Sequence, residues 1–274
     1  MVDYSKYKFV KVEVKERVAI LTLNNPDAMN AIGKDEHHEL EMVFEDMNED
    51  NEVLAVILTG AGRAFCAGAD LERGGETFSN RDRSPAARGG AEAPVVYPYA
   101  IGKPVIAAIN GAAVGVGLTY PMLCDMRIVA DDAKLGFVFT RRGMMPELGA
   151  HLLVQRVVGF STAADLLMSG RVFRGEEAAA LGLASEALPR DQVLERAIAI
   201  ARDYRLTAPV SVAITKRLLW EGLETGFAAM QQRENRLFAW LGNQPDAREG
   251  IESFVQKREP AWRLSASRDL PDDL

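Results

Sequence analysis

Two segments constrain this chain more than any others: RAFCAGADL at 63–71 and NGAAVGVGLTYPMLCD at 110–125. Each is a glycine-punctuated turn set directly after an apolar, strand-like run, at 53–59 and at 105–109. Short continuous apolar runs of this kind read as strands buried on both faces, and such strands belong to parallel sheets that need crossover connections. Between 34 and 48, Leu40, Val43, Phe44 and Met47 recur at i, i+3, i+4 and i+7, which predicts the amphipathic helix of one such crossover. A repeated strand, turn and helix unit of the α/β class is the expectation.

The remaining pattern fits around these units. Runs at 9–14 and 18–23 read as a β-hairpin, followed by a turn at NNPD, 24–27. Another strand is predicted at 126–130, and after Pro146 the pattern becomes helical, with helices at 151–158, 161–168, 192–204, 210–220, 225–240 and 247–256. Residues 74–94 turn to Gly, Ser, Arg, Ala and Pro and read as a mobile loop. We therefore expect a core at 1–205, a helical region at 206–262 that packs on the core or on a neighbouring subunit, and a tail at 263–274 whose end, DLPDDL at 269–274, reads as solvated.

Composition narrows the function classes. Of the 274 residues, 48% are hydrophobic and 26% charged, enough to supply a core and too apolar for wholesale disorder. A net charge of -7, with no concentrated basic block, argues against a nucleic-acid partner. Cys66 and Cys124, the two cysteines, sit in apolar stretches, which points to a reducing compartment rather than a disulfide framework. No run approaches the roughly 20 apolar residues needed to span a bilayer. A cytoplasmic protein with no membrane partner is expected.

The glycine turns are where chemistry is expected. Small residues around Gly68 let a ligand approach the main chain, and the first amides of a helix starting near Gly115 lack intrahelical partners, so both turns could aim N–H groups at one developing oxyanion. The same turns also serve as plain tight turns in many α/β folds, and the residues alone leave both readings open.

The two segments resemble the signature segments of the crotonase, or enoyl-CoA hydratase/isomerase, superfamily. The likeness runs from about residue 9 to about 258 and includes LNNPDAMNA at 23–31, KPVIAAINGAAVG at 103–115 and MSGRVFRGEEAAALGLASE at 168–186. It implies a spiral of ββα units with a C-terminal helical subdomain, an acyl-CoA thioester as substrate, and a homotrimer or a hexamer built as a dimer of trimers. Coenzyme A then belongs to the substrate, and no cofactor or metal is implied. By position, the oxyanion donors would be the backbone N–H groups of Ala69 and Val116, with Ala28, Ala67, Asp70 and Leu71 beside coenzyme A.

The acid and base positions depart from the hydratase pattern. The resemblance places one glutamate three residues beyond the second donor and another after the next strand; here those positions hold Thr119 and Phe139, both taken as substrate-lining. Adding water to an enoyl thioester needs a base for the water and an acid for the α-carbon, so losing both weighs against ordinary hydration. One carboxylate remains, Glu147 in RRGMMPELGAH, whose Pro-Glu setting is similar to the isomerase branch, where that glutamate shuttles a proton between C2 and C4. A glutamate after proline at a helix start also serves simply as a charge favoured by the dipole.

Other candidates are weaker. Cys66 has no histidine near it in sequence, and three scattered histidines, His37, His38 and His151, make no metal site. His151, four residues beyond Glu147, could pair with it. Arg141 and Arg142 could border the acyl pocket, and Asp125 reads as a cap or bridge. The leading expectation is enoyl-CoA isomerisation with Glu147 as proton shuttle. Hydration or hydrolysis with an unusual acid/base set and a non-catalytic acyl-CoA binder are the alternatives.

Overall fold

The computed structural model describes residues 2–72, 74–78 and 96–271. The hairpin forms as predicted, with β1 (Val10–Lys15) and β2 (Val18–Leu23) antiparallel and Val10 facing Leu23. Its turn consists of Glu16 and Arg17, with φ of 51° and 65°, the left-handed pair that matches the twist of a two-residue hairpin. Next comes α1 (Lys34–Glu49), which buries Leu40, Val43, Phe44 and Met47, the four residues whose spacing predicted it. The chain returns as β3 (Ala55–Gly60), fully buried and parallel to β2.

From here the chain repeats one manoeuvre. β3 is followed by β4 (Ala64–Cys66), and β5 (Val105–Ile109) by β6 (Ala112–Val114) and a single helical turn, α2 (Val116–Thr119). Then β7 (Met126–Ala130) is followed by β8 (Lys134–Gly136). In each pair the first strand joins a six-stranded sheet and the second a four-stranded one. Short corners at 61–63 and 110–111 make the switch, and the Asn110 amide donates to the Gly60 carbonyl at 2.7 Å, tying one corner to the other.

The rest of the core is α3 (Ala150–Val158), α4 (Phe160–Ser169), β9 (Phe173–Arg174), α5 (Gly175–Ala180), β10 (Glu186–Leu188) and α6 (Arg190–Asp203), with α6 lying against β2, β3, β5 and β7. The final strand orders are β1-β2-β3-β5-β7-β10 and β4-β6-β8-β9.

Three helices complete the chain: α7 (Pro209–Glu221), α8 (Phe227–Gly242) and α9 (Pro245–Gln256). A buried ion pair fixes α7 to the core. Lys216 Nζ lies 2.9 Å from Asp125 Oδ2 and also donates to the carbonyls of Pro98 and Lys103, while the Trp220 indole N–H donates to Asp125 Oδ1. Val210, Ile214 and Leu237 form a small second core between α7 and α8.

Two expectations need adjustment. The stretch read as a mobile loop, 74–94, lies outside the described residues from 79 onward, and its start forms a 3-10 turn at Gly74–Glu76. The tail from 263 to 271 is docked rather than free. The backbone N–H groups of Arg263 and Leu264 donate to the Asp246 carboxylate, Ala266 is buried, and the Ser267 hydroxyl donates to Asn51. A carboxylate that satisfies two main-chain donors overrides the polar composition of the segment.

Candidate active site

β4 and β6 lie side by side and parallel, so the turns that follow them emerge at the same end of the four-stranded sheet. Ala69 from the first turn and Val116 from the second line one pocket, together with Ala67, Leu71, Phe139 and Glu147. Main-chain hydrogen bonds hold the neighbours on either side of each donor. Ile32 donates to the Gly68 carbonyl and Asp70 to that of Ile32, while Gly115 donates to Gly136 and Leu118 to Gly115. Among the described residues, the N–H groups of Ala69 and Val116 have no acceptor. A main-chain donor left unpaired in a pocket is rare and suits an incoming oxygen.

Two glycines make this geometry possible. Gly68 has φ of +111°, and a Cβ there would meet the Val114 carbonyl oxygen at 2.9 Å. At Gly117, a Cβ would collide with the Cys66 carbonyl, so α2 rests directly on the end of β4. The helix expected from Gly115 is one α turn continued by a 3-10 turn at Tyr120–Leu123, too short to carry much macrodipole. What polarity the turn offers comes from its free N–H groups.

Sequence reasoning missed Asn30. Fully buried with φ of 55°, it sends its amide to the carbonyls of Ala61 and Ala64 at 2.9 Å and of Phe65 at 3.1 Å, and its Oδ1 accepts from the Asn25 N–H. It thereby fixes the corner from which the first donor emerges. The available signal was an Asn-rich turn, NNPDAMN, a composition that favours side chain to main-chain bonding.

Glu147 follows the buried Pro146 and precedes two left-handed residues, Leu148 and Gly149, with φ of 54° and 71°. A non-glycine residue held there is strained, and such residues persist where the surroundings fix them. No side chain caps α3, so Glu147 is not spent on the helix end, and among the described residues its carboxylate makes no hydrogen bond. The residue as a whole is solvent-accessible. Desolvation by the pocket walls raises its carboxyl above the ordinary range, and the charge of His37 opposes the rise.

The other candidates separate clearly. Phe139 lines the pocket, whereas Thr119, the last residue of α2, is fully buried with its hydroxyl 3.5 Å from the Val116 carbonyl. Leu71 is 53% exposed at the pocket edge, and Asp70 is exposed and accepts from the Glu72 N–H. Ala28 lies on an exposed 3-10 turn beside the site, where the next residue, Met29, accepts from the Ala67 N–H at 3.0 Å. Arg142 lines the pocket, while Arg141 donates to the Ser169 carbonyl. His151 is exposed and shares no hydrogen bond with Glu147 among the described residues. Burial pushes the Cys66 thiol up to about 12, which removes it as a nucleophile. Asp125 holds α7, remote from the chemistry.

The enoyl-CoA hydratase/isomerase family model matches residues 13–265. The chain is 34% identical to a probable enoyl-CoA hydratase of Bacillus subtilis, over 93% of this chain and 98% of that one. It is 32% identical to the 2,3-dehydroadipyl-CoA hydratase of Escherichia coli, over 92% and 97% respectively. The crystal structure of a probable enoyl-CoA hydratase/isomerase from Mycobacterium abscessus superposes with a TM-score of 0.83 at 33% identity, covering 93% of this chain and 98% of that one. The repeated switch between two sheets is thus the crotonase-like spiral with its helical C-terminal part, and the chain belongs to the enoyl-CoA hydratase/isomerase family of acyl-CoA enzymes.

Proposed function

We propose that the enzyme moves a double bond in an enoyl-CoA thioester, using one carboxylate. The observation that carries this reading is the pocket lining: Glu147 is its one carboxylate among the described residues, and it shares the pocket with two unpaired main-chain N–H groups. The thioester oxygen sits between Ala69 N–H and Val116 N–H. Glu147 removes a proton from C2 of a 3-enoyl thioester, and the electron pair moves toward the thioester oxygen, where the two donors stabilise it. The same carboxyl returns the proton at C4 as the double bond settles between C2 and C3. One such donor contributes about 3 to 4 kcal/mol to an oxyanionic transition state.

Isomerisation needs one proton carrier, and the pocket offers one. Coenzyme A lies along Ala28, Ala67, Asp70 and Leu71, whose segments are stitched together by the Ala67 to Met29 and Asp70 to Ile32 hydrogen bonds. The deciding experiment assays wild type and Glu147→Gln on 2-enoyl-CoA and 3-enoyl-CoA thioesters. Loss of 3-enoyl consumption in the variant supports the reading; full activity in the variant overturns it.

Hydration is the second reading, favoured by the names of the hydratase relatives. In it Glu147 both activates water and protonates C2, and 3-hydroxyacyl-CoA accumulates. Turnover of neither substrate, with retained thioester binding, would identify an acyl-CoA binder. Assembly as a homotrimer or a dimer of trimers fits the apolar side chains that α8 and α9 leave exposed, Phe227, Phe238 and Phe254 each at 80% or more. The native mass in solution tests it.

A further inference from the structure

Beyond β8 the chain makes a 3-10 turn at Thr140–Arg142, and its main chain is pinned from several sides. The Phe139 carbonyl accepts from the N–H groups of Arg142 at 2.8 Å and of Met144 at 3.0 Å, while Gly143, with φ of 72°, donates to the Thr140 carbonyl. A 3-10 turn has three residues per turn, so neighbouring side chains diverge by about 120°. The two arginines accordingly have different surroundings. Arg141 donates through Nε to the Ser169 carbonyl at 3.0 Å, which ties the turn to the end of α4. Arg142 lines the pocket instead, at its exposed rim.

The protein makes almost no use of that second guanidinium. It has five N–H donors, yet its one side-chain bond among the described residues runs from Nη1 to the Arg141 carbonyl, a long 3.4 Å. Glu147 lines the same pocket without forming an ion pair with it. Arg142 is thus the one cation of the lining among the described residues, unpaired, and the wall around it is mainly apolar, with Leu71, Val138, Phe139 and Met144. A carboxylate entering such a pocket would give up hydration for nothing, and an ionised Glu147 would repel it. A planar guanidinium removes both objections, because its fork matches a carboxylate with two parallel hydrogen bonds.

We propose that Arg142 is a specificity-determining residue, and that the acyl group this enzyme takes carries a carboxylate at its far end. Coenzyme A also carries anions, on its phosphates. In the function proposed above, however, coenzyme A lies along Ala28, Ala67, Asp70 and Leu71, whereas Arg142 belongs to the 139–147 segment that brings Phe139, Met144 and Glu147 to the pocket. The inference rests on that reading of the pocket as the acyl-CoA site, and part of its test needs no turnover.

The experiment compares kcat/KM for a straight-chain 3-enoyl-CoA thioester and for its counterpart of equal length ending in a carboxylate, in wild type, Arg142→Gln and Arg142→Lys. Wild type prefers the carboxylate-ended chain. Arg142→Gln lowers the ratio of the two by roughly 10-fold or more, the worth of a hydrogen bond to a charged group. Arg142→Lys, a cation without the fork, keeps part of the preference. A wild-type preference for the plain chain, or a ratio that Arg142→Gln leaves in place, overturns the proposal. Both chains are also assayed as pantetheine thioesters, which lack every phosphate. An equal loss on both coenzyme A thioesters that disappears with pantetheine assigns Arg142 to the phosphates and overturns the proposal as well. Calorimetric binding of the two saturated acyl-CoA thioesters measures the same ratio without reaction. If Glu147→Gln keeps full activity, or no 3-enoyl thioester is turned over, the isomerase reading fails, and the binding ratio still decides whether Arg142 selects a terminal carboxylate.

Discussion

Gly117 rests on the carbonyl of Cys66 so closely that no side chain fits between them. The two turns that carry the Ala69 and Val116 N–H groups are therefore held by main chain against main chain. Gly117→Ala must push α2 away from β4, and since the obstructing atom is backbone, no rotamer change relieves it. We expect roughly 1 to 3 kcal/mol of destabilisation from the overpacking. A 1 Å displacement of a catalytic group costs about 100-fold in rate. Steady-state kinetics beside a thermal melt check it, and the expectation fails if kcat stays near wild type.

Glu147→Gln is expected to lower kcat on 3-enoyl-CoA by about 100- to 10,000-fold, the range for a positioned acid or base. Because its pocket raises the Glu147 carboxyl, the charged form is disfavoured in the folded state. The fold consequently loses a little stability as pH rises through the interval between the unfolded and the folded titration of this group. The glutamine variant lacks that loss. It should melt at an equal or higher temperature at neutral pH, and the difference should vanish at pH values below the ordinary carboxyl range. For wild type, activity falls as pH drops through the raised value, because the base becomes protonated.

Asn30→Ala removes the amide that serves three carbonyls and the oxygen that accepts from Asn25. Leaving buried acceptors unpaired costs about 1 to 3 kcal/mol, and alanine is also less at ease than asparagine at positive φ. Urea unfolding should show a lower midpoint with an unchanged slope. Because the corner it holds leads to the Ala69 donor, kcat should fall as well, even though Asn30 does not line the pocket.

Asp125→Ala leaves the Lys216 ammonium buried without its carboxylate. Breaking one side of such a pair costs roughly 3 to 5 kcal/mol. Asp125→Ala with Lys216→Met should recover much of that loss, since an apolar replacement of both partners removes the uncompensated charge. A double-mutant cycle of melting free energies measures it, and additive losses would contradict the arrangement.

Much of this could be read from the chain. The face of α1 was legible because Leu40, Val43, Phe44 and Met47 repeat with helical period, and the two donor turns were legible because their glycines interrupt apolar runs. What escaped were bonds between distant segments. Nothing local to Asn30 announces the carbonyls of Ala61, Ala64 and Phe65, and nothing in the polar tail announces Asp246 as its anchor. Nothing beside Lys216 in sequence announces its partner, Asp125, which lies 91 positions earlier.

The parallel pairing of β4 with β6 has a consequence for how such a protein can change. On the function proposed above, the groups that activate the thioester belong to the main chain, so they would be present whatever side chains stand at 69 and 116, proline excepted. A change of reacting side chain would fall elsewhere, on pocket-lining positions such as 139 and 147, where a phenylalanine and a glutamate stand. On that reading, activation of the substrate and the choice of reaction are encoded separately, so a substitution could change one and leave the other intact.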